Sequence, residues 1–157
     1  MNVMFYPLQN ACETVSPLDV APLTSSLYAI RGKNQIAPGT DKVGTVFAIS
    51  AETGKTLWKY EQRAGTMSLV ATAGGLVFGG DTNGHFRALD QDTGKVLWEV
   101  NLGSAVTGYP IAYAVNGKQY VAVSTGSSLV SNGLATLTPE LHPSNSNSVF
   151  VFSLPDE

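Results

Sequence analysis

Two histidines, one cysteine and twelve carboxylates are the side chains of this 157-residue chain best suited to catalysis or metal binding. No Cys/His/carboxylate cluster with metal-ligand spacing surrounds His85 or His142, so both read as lone surface or loop histidines. Cys12 has no partner for an internal disulfide, and no Cys-x-x-Cys-His haem attachment run exists. It reads as a small buried hydrophobe. Gly54-Lys55-Thr56 has the ending of a phosphate loop, but Ile49 stands where the first glycine must be, and the flanks are hairpin-like rather than strand-to-helix. Asp81-Thr82-Asn83-Gly84 opens like a calcium loop without the later Glu, and no Gly-x-Ser-x-Gly elbow is present. No catalytic residue and no metal ligand is therefore assigned within the chain.

The elements that would position a site are set by a repeat. Gly44-Thr-Val-Phe-Ala48-Ile-Ser50-Ala-Glu-Thr53-Gly54-Lys55-Thr-Leu57-Trp58 recurs as Gly84-His-Phe-Arg-Ala88-Leu-Asp90-Gln-Asp-Thr93-Gly94-Lys95-Val-Leu97-Trp98. A period of about 40 residues is the mark of a repeat architecture. Each copy predicts a β-hairpin: Val46 to Ile49 with Thr56 to Tyr60, then Phe86 to Leu89 with Val96 to Val100. Gly54 and Gly94 supply the positive φ of the turns. The Asp90 carboxylate caps its turn, and the Ser50 hydroxyl does so more weakly. Ser68 to Thr72 and Leu76 to Phe78 flank Ala73-Gly74-Gly75, a further hairpin signal. Four strands per 40 residues is the content of one β-propeller blade.

Composition agrees with an all-β, turn-rich chain: charged residues are 13% and there are 16 glycines, against a usual charged share of about 25%. A net charge of −3 provides no basic field for nucleic acid. No apolar run approaches the roughly 18–20 residues of a membrane span. The first residues, Met1-Asn2-Val3-Met4-Phe5-Tyr6, lack the basic and apolar regions of a signal peptide.

Ala88 to Trp98 matches Ala-x-Asp-x-x-Thr-Gly-x-x-x-Trp in full, and Ala48 to Trp58 matches with Ser50 for Asp. This resembles the tryptophan-docking motif of the pyrroloquinoline-quinone (PQQ) dehydrogenases, the quinoprotein alcohol dehydrogenases with eight-bladed propellers. The resemblance covers nearly the whole chain and is most specific from Val43 to Thr125. It implies that each Trp packs flat on the next blade.

The expected fold is all-β, a partial β-propeller of about two to three four-stranded antiparallel blades of a larger ring. A ring needs typically 4–8 blades of about 40 residues, so residues 1–157 read as a C-terminal fragment of a quinoprotein propeller. Val3 to Tyr6 is a short strand, left by a turn Pro7-Leu8-Gln9-Asn10. Residues 13–40 form a long irregular insertion, with a brief element at Leu27-Tyr28-Ala29-Ile30. A complete blade covers about 68–100. Closing-blade strands lie within about 109–154, with an Asn116-Gly117 hairpin turn and a polar loop from Thr125 to Ser148. By resemblance, the outer strand missing from that blade comes from the N-terminus of the full chain.

The resemblance also implies site residues. An amide side chain in the late-blade turn contacts the quinone in the family, and Gln9 is the positional match with Asn10 the alternative. An amide both donates to and accepts from quinone oxygens. Thr66 stands where many members place a Trp against the quinone, and the Thr125-to-Asn132 loop also lacks a Trp found in some relatives. The implied cofactor is PQQ, with calcium in the parent protein. The calcium ligands, the catalytic Asp and an adjacent-cysteine disulfide of the family belong to earlier blades and map onto no residue here. Implied partners are the remaining blades and a cytochrome-type electron acceptor, and the implied location is the periplasm. Two readings follow: part of a periplasmic PQQ-dependent alcohol or sugar dehydrogenase, inactive alone, or a non-catalytic propeller scaffold of the outer-membrane assembly type. The long insertion and the Pro-Leu-Gln-Asn segment favour the first.

Overall fold

A computed structural model of the chain describes residues 2–17 and 30–154. Their strands form four antiparallel sheets, and no sheet closes on itself. The first sheet has the order β1-β4-β5, from Val3–Gln9, Gly44–Ser50 and Thr56–Gln62. Inserted between β1 and β4 is the hairpin of β2 (Ala11–Pro17) and β3 (Ile30–Ile36). The middle sheet is β6-β7-β8-β9, from Thr66–Ala71, Leu76–Asp81, His85–Asp90 and Val96–Asn101. The third sheet is β10-β11-β12, from Ile111–Val115, Lys118–Thr125 and Ser148–Ser153. This is the expected partial propeller, with one short helix, α1 (Leu129–Ala135), added.

The two repeat copies fold alike. Ala48 pairs with Trp58 and Ala88 with Trp98, and both ladders shift register one residue later. A bulge at that point adds local twist just before the turn. Gly54 and Gly94 have φ of 68° and 71°. Asp90 Oδ1 accepts from the Thr93 N–H at 2.8 Å, the Thr93 hydroxyl at 2.6 Å and the Asp92 N–H at 3.2 Å. Ser50 Oγ accepts only from Thr53 N–H, at 3.2 Å. The Asn116-Gly117 turn has φ of 50° and 80°, the left-handed pair that a two-residue hairpin needs.

The middle sheet is covered on both faces. Val77 and Leu89 pack with Val46 of β4, flanked by Phe5, Trp58 and Tyr60 of the first sheet. On the opposite face Phe86 packs with Val106, Val121 and Val123, flanked by Phe150 and Phe152 of the third. Sheets stacked in sequence order, each touching its neighbours, are successive wedges rather than the two halves of a sandwich. The Trp58 indole crosses the first of these interfaces. Its N–H donates to the Gln91 carbonyl at 2.9 Å. Its ring lies against Gly94, where a Cβ would come within 2.5 Å of Cε3.

Several expectations are corrected. β1 does not end at Tyr6 but runs through Pro7 to Gln9, pairing Pro7 with Val46. Proline is tolerated because β1 is an edge strand, whose outward side needs no N–H donor. The segment 13–40 is not irregular throughout: β2 and β3 pair from Ala11↔Ile36 to Pro17↔Ile30. Of the brief element at Leu27 to Ile30, the first three residues lie outside the described residues, and Ile30 begins β3. Cys12 is exposed rather than buried, because it lies on a hairpin of only two strands. The polar loop after β11 contains α1, opened by a capping box in which Ser128 Oγ accepts from Ser131 N–H and Ser131 Oγ accepts from Ser128 N–H.

Candidate functional site

Three connections converge beside the start of β6: the β1–β2 link at Asn10, the β5–β6 loop at Arg63 to Gly65, and the β7–β8 turn from Asp81 to Gly84. The Gly65 N–H donates to Thr82 Oγ1 at 3.1 Å, and the Thr82 N–H donates to the Gly65 carbonyl at 2.9 Å. The Asp81 Oδ1 accepts from the Asn83 and His85 N–H groups at 2.8 and 3.0 Å. These bonds tie the β5–β6 loop to the β7–β8 turn and satisfy their backbone N–H groups.

Gln9 and Thr66, separated by 57 residues in sequence, meet here: Gln9 Nε2 donates to the Thr66 carbonyl. Gln9 Oε1 is buried without a hydrogen-bond partner among the described residues, an arrangement that costs roughly 1–3 kcal/mol unless something donates to it. Asn10 has a different role. Its Nδ2 donates to the Lys42 carbonyl at 3.1 Å and to Thr45 Oγ1 at 2.8 Å, and its backbone bonds Val43 and Ala37. Both amide hydrogens therefore hold the root of the insertion. Thr66 is only 2% exposed, and its hydroxyl accepts from Gln62 Nε2 at 3.2 Å. Of the three residues expected to border a ligand, Gln9 retains an unengaged carbonyl and a second N–H, while the Asn10 NH₂ and the Thr66 hydroxyl are bonded within the fold.

Sequence reasoning missed the charged groups behind these residues. Arg87 Nη1 donates to Asp81 Oδ2 at 2.7 Å and to Gln62 Oε1 at 2.9 Å, and Nε donates to Glu99 Oε2. The guanidinium also lies 5.9 Å from the centre of the Tyr60 ring, within cation–π range. Burial opposes the Arg87 charge, but Asp81, Tyr60 and Glu99 together raise the Arg87 pKa. Burial likewise pushes the Tyr60 phenol up. For Glu99, burial acts upward, yet Arg87 and His85 together hold its carboxyl below the ordinary range. The signal was present in the repeat, where Arg87 occupies the position that Phe47 holds in the first copy.

A second clamp lies nearby. Arg63 Nε and Nη2 grip Glu140 at 2.6 and 3.2 Å, while Nη2 and Nη1 also donate to the Leu137 and Asp41 carbonyls at 3.0 and 2.9 Å. The hydrogen bond from Arg63 depresses the Glu140 pKa. Leu134 of α1 and Leu137 pack with Val43, the residue before β4, beside Ala11, Ile36 and Met67. The helix thus leaves the third sheet and lands on the first, over Gly65. Its other side faces a cleft of about 270 Å³ lined in part by Thr82, Ala105, Ser131, Asn132 and His142. Among the described residues no group of three or more His, Cys, Asp or Glu could hold a metal. Among the described residues, the arrangement offers an amide for hydrogen bonding.

Comparison with known proteins agrees with this architecture. Residues 62–121 match the PQQ family described as glucose/ethanol/alcohol dehydrogenase, beta-propeller domain. The chain is 34% identical over 120 residues to the quinoprotein ethanol dehydrogenase of Pseudomonas aeruginosa, covering 73% of this chain and 19% of that protein. It is 42% identical over 88 residues to methanol dehydrogenase [cytochrome c] subunit 1 of Methylorubrum extorquens, covering 54% of this chain and 14% of that one. Among solved structures, a europium-containing methanol dehydrogenase superposes with a TM-score of 0.82 at 27% identity, over 97% of this chain and 31% of that one. By sequence and by fold, the chain resembles the propeller of the PQQ-dependent alcohol dehydrogenases. It spans less than a fifth of the length of these curated relatives. No helix among the described residues is long and apolar enough to cross a membrane.

Proposed function

We propose that this chain forms the C-terminal blades of a PQQ-dependent dehydrogenase acting on alcohols or sugars, and that it supplies one wall of the quinone pocket. The observation that supports this most directly is Gln9: a buried amide oxygen without a partner, beside a second N–H, at the position the resemblance assigns to a quinone contact. An acceptor-rich quinone fits that N–H, and a protonated or water-bridged ligand oxygen fits the carbonyl. The Thr66 carbonyl holds Gln9 in place, and Asn10, next in the chain, is anchored to Lys42 and Thr45. When bound, PQQ supplies the hydride-accepting carbon, and this chain's residues bind and orient it. The remaining blades carry the catalytic Asp and the metal, calcium in the reading from resemblance; two relatives are described as a lanthanide-dependent and a europium-containing methanol dehydrogenase. The electron acceptor is a cytochrome, as the name of the methanol dehydrogenase relative indicates for that protein, and the location is the periplasm.

The test is a chimera in which this chain replaces the matching segment of the Pseudomonas aeruginosa ethanol dehydrogenase. The chimera takes up PQQ and shows dye-linked alcohol oxidation, and Gln9→Leu weakens PQQ binding about tenfold, the size of one lost hydrogen bond. The isolated chain shows weak or no PQQ binding and no turnover. Robust turnover by the isolated chain, or a chimera that folds without taking up PQQ, overturns the reading.

A further inference from the structure

Behind Gln9 lies a line of hydrogen bonds that runs through side chains and, at Thr66, through the main chain. It begins at Glu99 on β9 and Asp81 at the end of β7, both held by Arg87. Arg87 Nη1 passes to Gln62 Oε1, Gln62 Nε2 to Thr66 Oγ1, and the Thr66 carbonyl accepts from Gln9. Gln62, Thr66, Asp81 and Arg87 are all buried.

The polarity of this line is forced by one residue. A guanidinium donates and never accepts, so the Gln62 oxygen must face Arg87. The Gln62 NH₂ then must face Thr66, which removes the two-fold ambiguity of an amide. Gln62 thus holds the Thr66 hydroxyl, and the backbone carbonyl of the same residue accepts from Gln9 Nε2. The Gln9 oxygen and second N–H are not engaged by the line.

The repeat gives an internal control. In the first copy Phe47 stands where Arg87 stands in the second, and Asp41 where Asp81 stands. The Asp41 side chain is 77% exposed and pairs with Lys42, its chain neighbour. The fold therefore makes this blade hairpin without a buried ion pair. Burying charges is costly, and apolar replacement of such a pair is often neutral or stabilising. The second copy keeps one where Arg87 also reaches Gln62, at the end of β5.

We propose that Arg87 is a positioning residue, which through Gln62 and Thr66 sets the orientation of the Gln9 amide toward the quinone. The proposal rests on the reading of Gln9 as a quinone contact, but its mechanical part is measurable without PQQ. In the ¹⁵N-labelled chain, the Gln9 and Gln62 side-chain amides are assigned with Gln9→Glu and Gln62→Glu. In Gln62→Leu and Arg87→Met, the Gln9 NH₂ resonances shift and their exchange with solvent quickens at least tenfold, while the Trp58 indole N–H keeps its position and protection. If Arg87→Met does not fold, Gln62→Leu decides alone, since it leaves the Arg87–Asp81 pair intact. A Gln9 amide that is unchanged in folded Gln62→Leu overturns the proposal, as does loss of the Gln9 and Trp58 signals together. In the chimera, Gln62→Leu weakens PQQ binding as much as Gln9→Leu does. A chimera that takes up no PQQ, in the presence of a responsive Gln9, removes the quinone reading and leaves the relay standing. PQQ uptake with an unresponsive Gln9 removes the relay alone.

Discussion

Trp58 and Trp98 end equivalent hairpins, opposite Ala48 and Ala88 and beside the same bulge, yet their surroundings differ. Trp58 donates to Gln91 and lies on Gly94, both in the next copy, with Phe5 tilted against it at 5.8 Å. Trp98 is 39% exposed. It meets Phe86 and Phe152 edge-on, at 6.2 and 5.2 Å between ring centres, and its indole N–H makes no hydrogen bond to the described residues. One copy thus supplies the indole and the next supplies the Thr-Gly turn that receives it. The stabilisation belongs to the pair of copies and not to either alone, as in other repeat arrays.

The comparison is broken most directly by removing the indoles. Trp58→Ala should destabilise the chain by about 3–5 kcal/mol and Trp98→Ala by about 2 kcal/mol, read from urea unfolding. Equal losses would mean that the docking contact adds nothing beyond ring burial. The receiving turn gives the next largest effect. Gly54→Ala meets open space and only the left-handed backbone penalty, about 1 kcal/mol. Gly94→Ala adds a clash with Trp58 and should cost about 3 kcal/mol. In a Trp58→Ala background that excess should vanish, a double-mutant cycle isolating the contact.

The smallest effect sharpens the comparison through pH. The Thr93 hydroxyl, helped by backbone N–H groups, holds the Asp90 carboxyl below its ordinary value of 3.8. A depressed carboxyl contributes stability in full above its unfolded value, and this is lost as pH falls through the folded one. Ser50 has nothing to titrate. The stability gap between wild type and Asp90→Ser should therefore close in acid, and Ser50→Asp should import the same acid sensitivity into the first turn. Melting temperatures of the three proteins across acid pH check this, and parallel curves would show that Asp90 acts without its charge.

What was legible in the sequence was whatever repeats or turns. Thr-Gly-Lys, Asn-Gly and the apolar alternation are local signals, and β4 to β9 follow them closely. The β2–β3 hairpin was not legible, because its polar, two-stranded pairing leaves no apolar alternation to read. Helix α1 was hidden for a related reason: Leu129 is 93% exposed, so its apolar residues do not trace a buried stripe, and its box closes with Ser131 in place of the usual Glu or Gln. At the site, Gln9 was reachable only through family resemblance, and its meeting with Thr66 is a tertiary fact with no local trace. Arg87 was visible as a charge where the other copy has Phe47, and its meaning depended on Gln62 arriving from another sheet.

The span of α1 has a consequence for how the molecule comes apart. In a simple row of repeats, each unit answers only to its neighbours and the row frays from an end. Here Leu134 and Leu137 tie the third unit to the first, and Arg63 grips Glu140 across the same gap. The middle unit is lashed in place by a strap it does not own, so the three should open as one cooperative body.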